Sequence, residues 1–173
     1  MVRKITMIFF LMVCVLGGMT VSAQDGAPAY NVITVDGIIT SPTAAYVARS
    51  IHEAQKDNAA GLIILLDTPG GMDTAMRDIA KSILNAPLPV IVFVYPSGAR
   101  AASAGVIITT AAHVAAMAPG TNIGAAHPVA IGIGGAGNLD KTMSKKVEND
   151  AAAYARSIAR TRGRSEEWVE KAV

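Results

Sequence analysis

Val90-Ile91-Val92-Phe93-Val94-Tyr95-Pro96-Ser97-Gly98-Ala99-Arg100-Ala101-Ala102-Ser103-Ala104-Gly105 is the stretch whose reading decides the fold. The apolar run Val90 to Val94 has the composition of a buried strand. The Pro96/Gly98 loop breaks it. A small-residue segment follows and predicts a helix from about Ala102 to Ala111. Ser103 stands at the start of that helix, between alanines. A strand–turn–helix junction exposes a hydroxyl there and brings backbone N–H groups and the positive end of the helix dipole near it. Small neighbours leave room for a substrate backbone. A serine between alanines is also what ordinary packing at a helix start looks like, so Ser103 alone does not define a site.

The same alternation recurs on both sides. Val32 to Ile39 reads as a strand, with Asp36-Gly37 as a bend or bulge. Ser41-Pro42 predicts an N-cap followed by Pro at the first helical position. Val47, Ile51 and Ala54 then fall on one helical face, and Asn58 and Gly61 end that helix. Leu62 to Leu66 is wholly apolar, the pattern of a strand covered on both faces. Asp67-Thr68-Pro69-Gly70-Gly71 reads as a tight loop. Asp73 or Thr74 is expected to cap a helix whose stripe is Met76, Ile79, Ala80 and Ile83. His113 to Ala118 predicts another strand, followed by a loop at Pro119 to Gly124. Residues 131–137 are too glycine-rich for regular structure and predict a mobile loop. A long helix is expected from about Asp140 to Arg162, with Val147, Ala151, Tyr154 and Ile158 on one face. Strands alternating with amphipathic helices give an α/β domain built of βαβ units. Trp168 to Val173 reads as a helix cut in mid-pattern, which predicts a fragment of a longer protein.

Composition narrows the function classes. Residues 1–23 read as an export signal: Arg3 and Lys4, an apolar core from Ile5 to Val15, and a small-x-small site at Val21-Ser22-Ala23. The chain has 15 Lys and Arg against 13 Asp and Glu, and loss of Arg3 and Lys4 makes the two equal. A balanced charge gives no basic patch for nucleic acid. The one cysteine, Cys14, lies inside the signal, so neither a disulfide nor thiolate chemistry is expected after processing. His52, His113 and His127 lack ligand spacing, so no metal is expected. Residues 24–173 suffice for one domain with a real core.

Two further features could join Ser103 in an acyl-transfer site. Gly70-Gly71 follows a buried strand, where glycines free backbone N–H groups to face an oxyanion. They belong to no GxGxxG or GxxxxGK[ST] pattern, which sets a phosphate loop aside. A proton acceptor is also needed, and the residues offer two. Lys146 lies on a helix that otherwise presents an apolar face, where lost solvation favours the neutral amine. His127 lies in a loop and needs no such help.

Four segments occur in order: Leu66-Asp67-Thr68-Pro69-Gly70-Gly71, Pro96 to Gly105, Met117-Ala118-Pro119-Gly120-Thr121-Asn122-Ile123-Gly124, and Ala153-Tyr154-Ala155-Arg156-Ser157-Ile158-Ala159. Together they closely resemble the N-terminal protease domain of the NfeD family, membrane-bound serine proteases encoded beside stomatin-like proteins. The resemblance runs from about Val32 to the end of the chain. It implies a crotonase/Clp protease-like spiral of ββα units, shared with signal peptide peptidase A and the Clp proteolytic subunit. It also implies a Ser–Lys dyad, with Ser103 as nucleophile. Lys146, eight residues before Tyr154, is the matching base, with Lys145 one residue away. Gly70, Gly71 and the Ala104 N–H are the implied oxyanion donors, and His127 falls near the Clp subunit's histidine.

The resemblance further implies an endopeptidase without metal or cofactor that acts on hydrophobic segments of membrane proteins such as stomatin-like partners. It would work as a homodimer or larger homo-oligomer on the extracytoplasmic (periplasmic) face of the inner or plasma membrane. Transmembrane helices would lie in a missing C-terminal region, and the loop at 131–137 could gate the groove. The rival readings are a catalytically weak peptide-binding scaffold of a stomatin complex, a Ser–His Clp-like peptidase using His127, and an acyl-CoA enzyme, which the export signal argues against.

Overall fold

The computed structural model describes residues 27–126 and 141–173. Residues 1–23, read above as an export signal, His127 and the glycine-rich segment 131–137 lie outside the described residues. A four-stranded parallel sheet runs in the order β1 (Tyr30–Asp36), β2 (Gly61–Asp67), β3 (Val90–Val94), β5 (Val114–Met117). The helices are α1 (Ser41–Lys56), α2 (Asp73–Leu84), α3 (Ala104–Ala111), α4 (Lys141–Thr161) and α5 (Glu166–Ala172).

A second, shorter layer of strands explains the family architecture. β4 (Arg100–Ala101) pairs in parallel with β6 (Asn122–Ile123). Isolated bridges extend that layer, Ile39 to Gly71 and Thr68 to Ala101. Each long strand is thus followed by a short extended piece that pairs with the neighbouring unit. The short pieces at 39, 68–71, 100–101 and 122–123 keep the order of the main sheet. This is the Clp-like spiral of ββα units, not a plain βαβ repeat. One- and two-residue strands carry no periodicity, which is why residue patterning misses them.

Matched register separates the two faces of the main sheet. Ile33, Ile64 and Val92 align on one face, as do Val35, Leu66 and Val94, and all are buried. Val32, Ile63, Ile91 and Val114 align on the other. There Ile63 and Ile91 are only half-buried and Val32 is 55% exposed. The apolar run of β2 therefore does not mean full cover on both faces in this chain. Phe93 and Tyr95 stack on the same stretch of strand, ring centroids 5.5 Å apart.

The helices form their faces as the sequence predicts, with small shifts at the caps. Thr40, not Ser41, caps α1 through a reciprocal arrangement with Thr43, and Pro42 occupies the first turn. Met72 precedes α2 without a side-chain cap, and Asp73 is its first residue, where a carboxylate favours the helix dipole. α1 buries Val47, Ile51 and Ala54, and α2 buries Met76, Ile79, Ala80 and Ile83. α3 differs: all its residues are buried, so it is a central rather than an amphipathic helix. Thr110 is tolerated there because its hydroxyl donates to the Val106 carbonyl at 2.7 Å.

Two arginines close the C-terminal ends of these helices. Arg162 donates to the Ala111 carbonyl at 2.7 Å and the Ile83 carbonyl at 3.1 Å. Arg164 donates to the Thr110 and Ala112 carbonyls, both at 2.8 Å. Cations there satisfy orphan carbonyls and complement the dipole. Gly163, at φ 64°, turns the chain between α4 and α5, and Ser165 caps α5 by accepting from the Trp168 N–H. Among the described residues no helix is long and apolar enough to cross a membrane.

His113 takes up a proton less readily in this arrangement. Its Nδ1 accepts from the Val90 N–H at 3.1 Å, while its own N–H donates to the Val90 carbonyl. Burial, then the nearby Arg162 and Arg164 charges, push its pKa below the usual histidine value. The unfolded chain then binds a proton that the folded chain excludes. Stability is expected to be full above about pH 6.5, the unfolded value, and to decline as the pH falls from there toward the lower folded value. Urea titrations across pH 5–8, run beside His113→Asn, check this: the variant should lose that part of the slope. An identical slope in both proteins would show that His113 carries none of it.

Candidate active site

The site forms where the short second layer hands the chain to its helices. β2 ends at Asp67, and Thr68 then pairs with the 100–102 segment: the Thr68 N–H donates to the Arg100 carbonyl at 2.8 Å and the Ala102 N–H to the Thr68 carbonyl at 3.0 Å. Asp67 Oδ1 accepts from the Arg100 N–H at 3.0 Å. These bonds bring Gly70-Gly71 against the junction that carries Ser103.

Ser103 occupies the N-cap of α3 with φ 51° and ψ −113°. That is the left-handed half of the map, costly for a residue with a Cβ. An N-cap serine usually accepts from its own helix in an extended conformation. Here the side chain makes no capping bond, so the hydroxyl is not spent on the helix. The Ser103 N–H donates to the Ala125 carbonyl at 2.8 Å, and the Ala126 N–H to Ala172 at the end of α5, so the segment behind the serine is pinned at two points.

The two glycines have different roles. A Cβ at Gly70 would lie 2.5 Å from Ser103 Cβ and 3.0 Å from its Oγ, and φ there is 111°. Glycine is required for the approach and for the conformation. The Gly70 N–H, expected to face an oxyanion, instead donates to Thr68 Oγ1 at 3.0 Å. A Cβ at Gly71 would meet the Ile39 carbonyl at 2.1 Å. The N–H groups of Gly71 and Ala104 have no hydrogen-bond partner among the described residues. Gly105 completes the fit, since a Cβ there would lie 2.8 Å from Thr68 Cγ2.

The lysines are placed differently from the expectation. Lys145 and Lys146 are both exposed, and their neighbours Met143 and Val147 are 50% and 43% exposed. α4 is fully buried only further along, at Ala155, Ile158 and Ala159. Around Lys146 the side chains of α4 are exposed, so the described residues do not sink Lys146 in an apolar environment. Two side-chain links fix the course of α4 beside α2. Arg77 pairs with Asp73 on its own helix at 2.8 Å and with Asp150 on α4, and its guanidinium lies 4.4 Å from the centre of the Tyr154 ring. At the other end Arg162 reaches Ile83. The contacts at 77 with 150 and 154, and at 83 with 162, mean that α2 and α4 run in the same sense. No group of three or more His, Cys, Asp or Glu converges among the described residues.

The structure thus brings together Ser103 and the glycine pair, which residue patterning singled out, with Thr68 and Ala125, which it did not. Thr68 gave a signal only as part of a tight loop, and its total burial is a product of the second layer.

Residues 29–170 match the family model described as NfeD1b, N-terminal domain. The chain belongs to this family. It is 43% identical over 144 residues to the membrane-bound protease PH1510 of Pyrococcus horikoshii, covering 81% of this chain and 32% of that protein. It is 33% identical over 109 residues to the membrane protein NfeD1b of Bacillus subtilis, covering 63% of this chain and 24% of the relative. The chain therefore spans about a third or less of these relatives' lengths. Among solved structures it is similar to 1510-N, a membrane-bound stomatin-specific protease. A variant of that protein with serine replaced by alanine aligns with a TM-score of 0.77 and 39% identity, covering 86% of this chain and 70% of that one. A lysine-to-alanine variant in complex with a substrate peptide aligns at 0.76 and 39%, covering 84% and 65%. ClpP1 of Listeria monocytogenes, at 0.61 and 22% identity over 81% of this chain and 76% of its own, shares the fold.

The packing around Thr68 is directly testable. Thr68→Val keeps the shape but strands the buried Gly70 N–H, at an expected cost of about 1–3 kcal/mol. Gly70→Ala should destabilise by more than about 1 kcal/mol, since alanine is unsuited to the positive φ. Thr68→Ser should stay close to wild type. Urea unfolding of the three variants measures the ranking, and a Thr68→Val protein as stable as Thr68→Ser would contradict it.

Proposed function

We propose that this domain is a serine endopeptidase in which Ser103 and Lys146 form a dyad, and that it cleaves hydrophobic segments of membrane-associated proteins, a stomatin-like partner among them. The observation that carries the proposal is the Ser103 hydroxyl, held at φ 51° with no capping bond and flanked by the Gly71 and Ala104 N–H groups, which have no partner among the described residues. The relatives named as proteases, one of them specific for stomatin, lend support.

The reaction would begin with transfer of the Ser103 Oγ proton to the neutral Lys146 amine as Oγ attacks a peptide carbonyl. The Gly71 and Ala104 N–H groups would donate to the oxyanion, while Gly70 keeps the approach to Ser103 clear. Collapse expels the amine, which takes its proton from Lys146, and water releases the acyl-enzyme. A peptide lying along the exposed first turns of α4 would cover Lys146 and exclude water from it. Met143 and Val147 offer apolar surface for such a peptide. The chain is proposed to be processed after Ala23 and exported, to work as a homodimer or larger homo-oligomer, and to be held at the extracytoplasmic face of the membrane by further sequence of the whole protein.

The exposure of Lys146 favours one second reading, a peptide-binding scaffold with weak catalysis. Cleavage of a peptide from the C-terminal region of the stomatin-like partner separates the two. Ser103→Ala should be inactive with stability near wild type, because no capping bond is lost, whereas Ser97→Ala should remain active. Lys146→Ala should cost about 10²–10⁴-fold, the usual share of a general base. Lys146→Arg should not restore activity, since a guanidinium keeps its proton. Full activity in Lys146→Ala together with a dead His127→Ala would replace the dyad by a Ser–His pair. Binding without cleavage by the unaltered protein would favour the scaffold.

A further inference from the structure

The Arg77 cluster is not used by the proposed chemistry, yet it sits between its two halves. α2 starts two residues after Gly71, so it carries the oxyanion loop at its N-terminus. α4 carries Lys146. The backbones of these helices barely approach each other, and the Arg77 side chain bridges them. Arg77 engages three groups: Asp73 one turn back on α2, Asp150 on α4, and the face of the Tyr154 ring. Lys146, Asp150 and Tyr154 are spaced four residues apart, so they share one stripe of α4. Because α2 and α4 run in the same sense, the stripe one turn beyond Asp150 comes level with Asp73, beside the Gly70-Gly71 loop.

We propose that Arg77 is a positioning residue that aims the first turns of α4, and with them the Lys146 amine, at the Ser103 hydroxyl. This rests on the Ser–Lys reading given above. The geometry suits the task. The planar guanidinium presents donors to two carboxylates in different directions and stacks on an aromatic face at the same time, which an ammonium cannot do. The first turns of α4 are exposed and receive little packing of their own, so their direction depends on the last anchored turn, at Asp150 and Tyr154. Ion pairs as exposed as Arg77 with Asp150 contribute little to global stability. The cluster should therefore matter for aim more than for folding.

The test uses the full-length protein and the stomatin-derived peptide. Arg77→Ala is expected to lower kcat by about 10²-fold, the scale of an ångström-sized misplacement, while KM and the thermal midpoint stay close to wild type. Asp150→Asn should move kcat in the same direction by less. Arg77→Lys should recover only part of the loss, because it keeps the charge but not the fork. Unchanged kcat in Arg77→Ala overturns the proposal, as does a loss of kcat that merely tracks a lowered melting midpoint, or full recovery by Arg77→Lys. Lys146→Ala measured alongside separates the two layers: if it retains full cleavage the dyad itself fails, whatever Arg77 does.

Discussion

Thr68 is the residue on which the site depends. It is fully buried and spends every polar group: N–H and carbonyl on the 100–102 segment, hydroxyl on the Gly70 N–H. This pairing draws the end of β2 into the second layer and carries Gly70 to within contact of Ser103. The glycine requirement at 70, 71 and 105 follows from the same closeness, because a Cβ at each would meet Ser103, Ile39 or Thr68 below ordinary contact distance. The strained serine is thus over-determined by its surroundings, which is how an unfavourable backbone conformation persists.

The helices are fixed by a different kind of interaction. Arg162 and Arg164 tie the ends of α2 and α3 to the chain that follows α4, and their charges add to the desolvation that lowers the His113 pKa. Arg77 makes the matching link near the start of α2. Two pieces therefore frame the candidate site: a hydrogen-bonded layer that holds Ser103 and the Gly70-Gly71 loop, and α4, whose side chains are exposed around Lys146.

The long strands and helices were legible because apolar runs and helical stripes mark which residues share a side. β2, β3 and the buried faces of α1 and α2 lie where the pattern of Leu62 to Leu66, Val90 to Val94, Val47, Ile51, Met76 and Ile79 puts them. The second layer was not legible from patterning, because bridges such as Thr68 to Ala101 are one residue long and depend on contacts distant in sequence. The family resemblance supplied it. Ser103 was singled out through its place at a strand–helix junction, but the direction of its strain is a tertiary property. The same limit applies to Lys146. Val147 beside it reads as an apolar face, yet helical spacing says only which residues share a side, not whether anything in the chain covers it. Gly70 was read as a donor from its position after a buried strand, and the Thr68 hydroxyl that occupies its N–H could not be inferred without the fold.

The central claim is that Ser103 is an activated nucleophile and not a small residue packed at a helix start. Exposing the full-length protein to a fluorophosphonate and locating the adduct by peptide mass spectrometry tests this most directly. A single adduct on Ser103 is expected, lost in Ser103→Ala and slowed when Lys146 is removed. An unlabelled protein that still cleaves its peptide, or an adduct on Ser97 with Ser103 untouched, would contradict it.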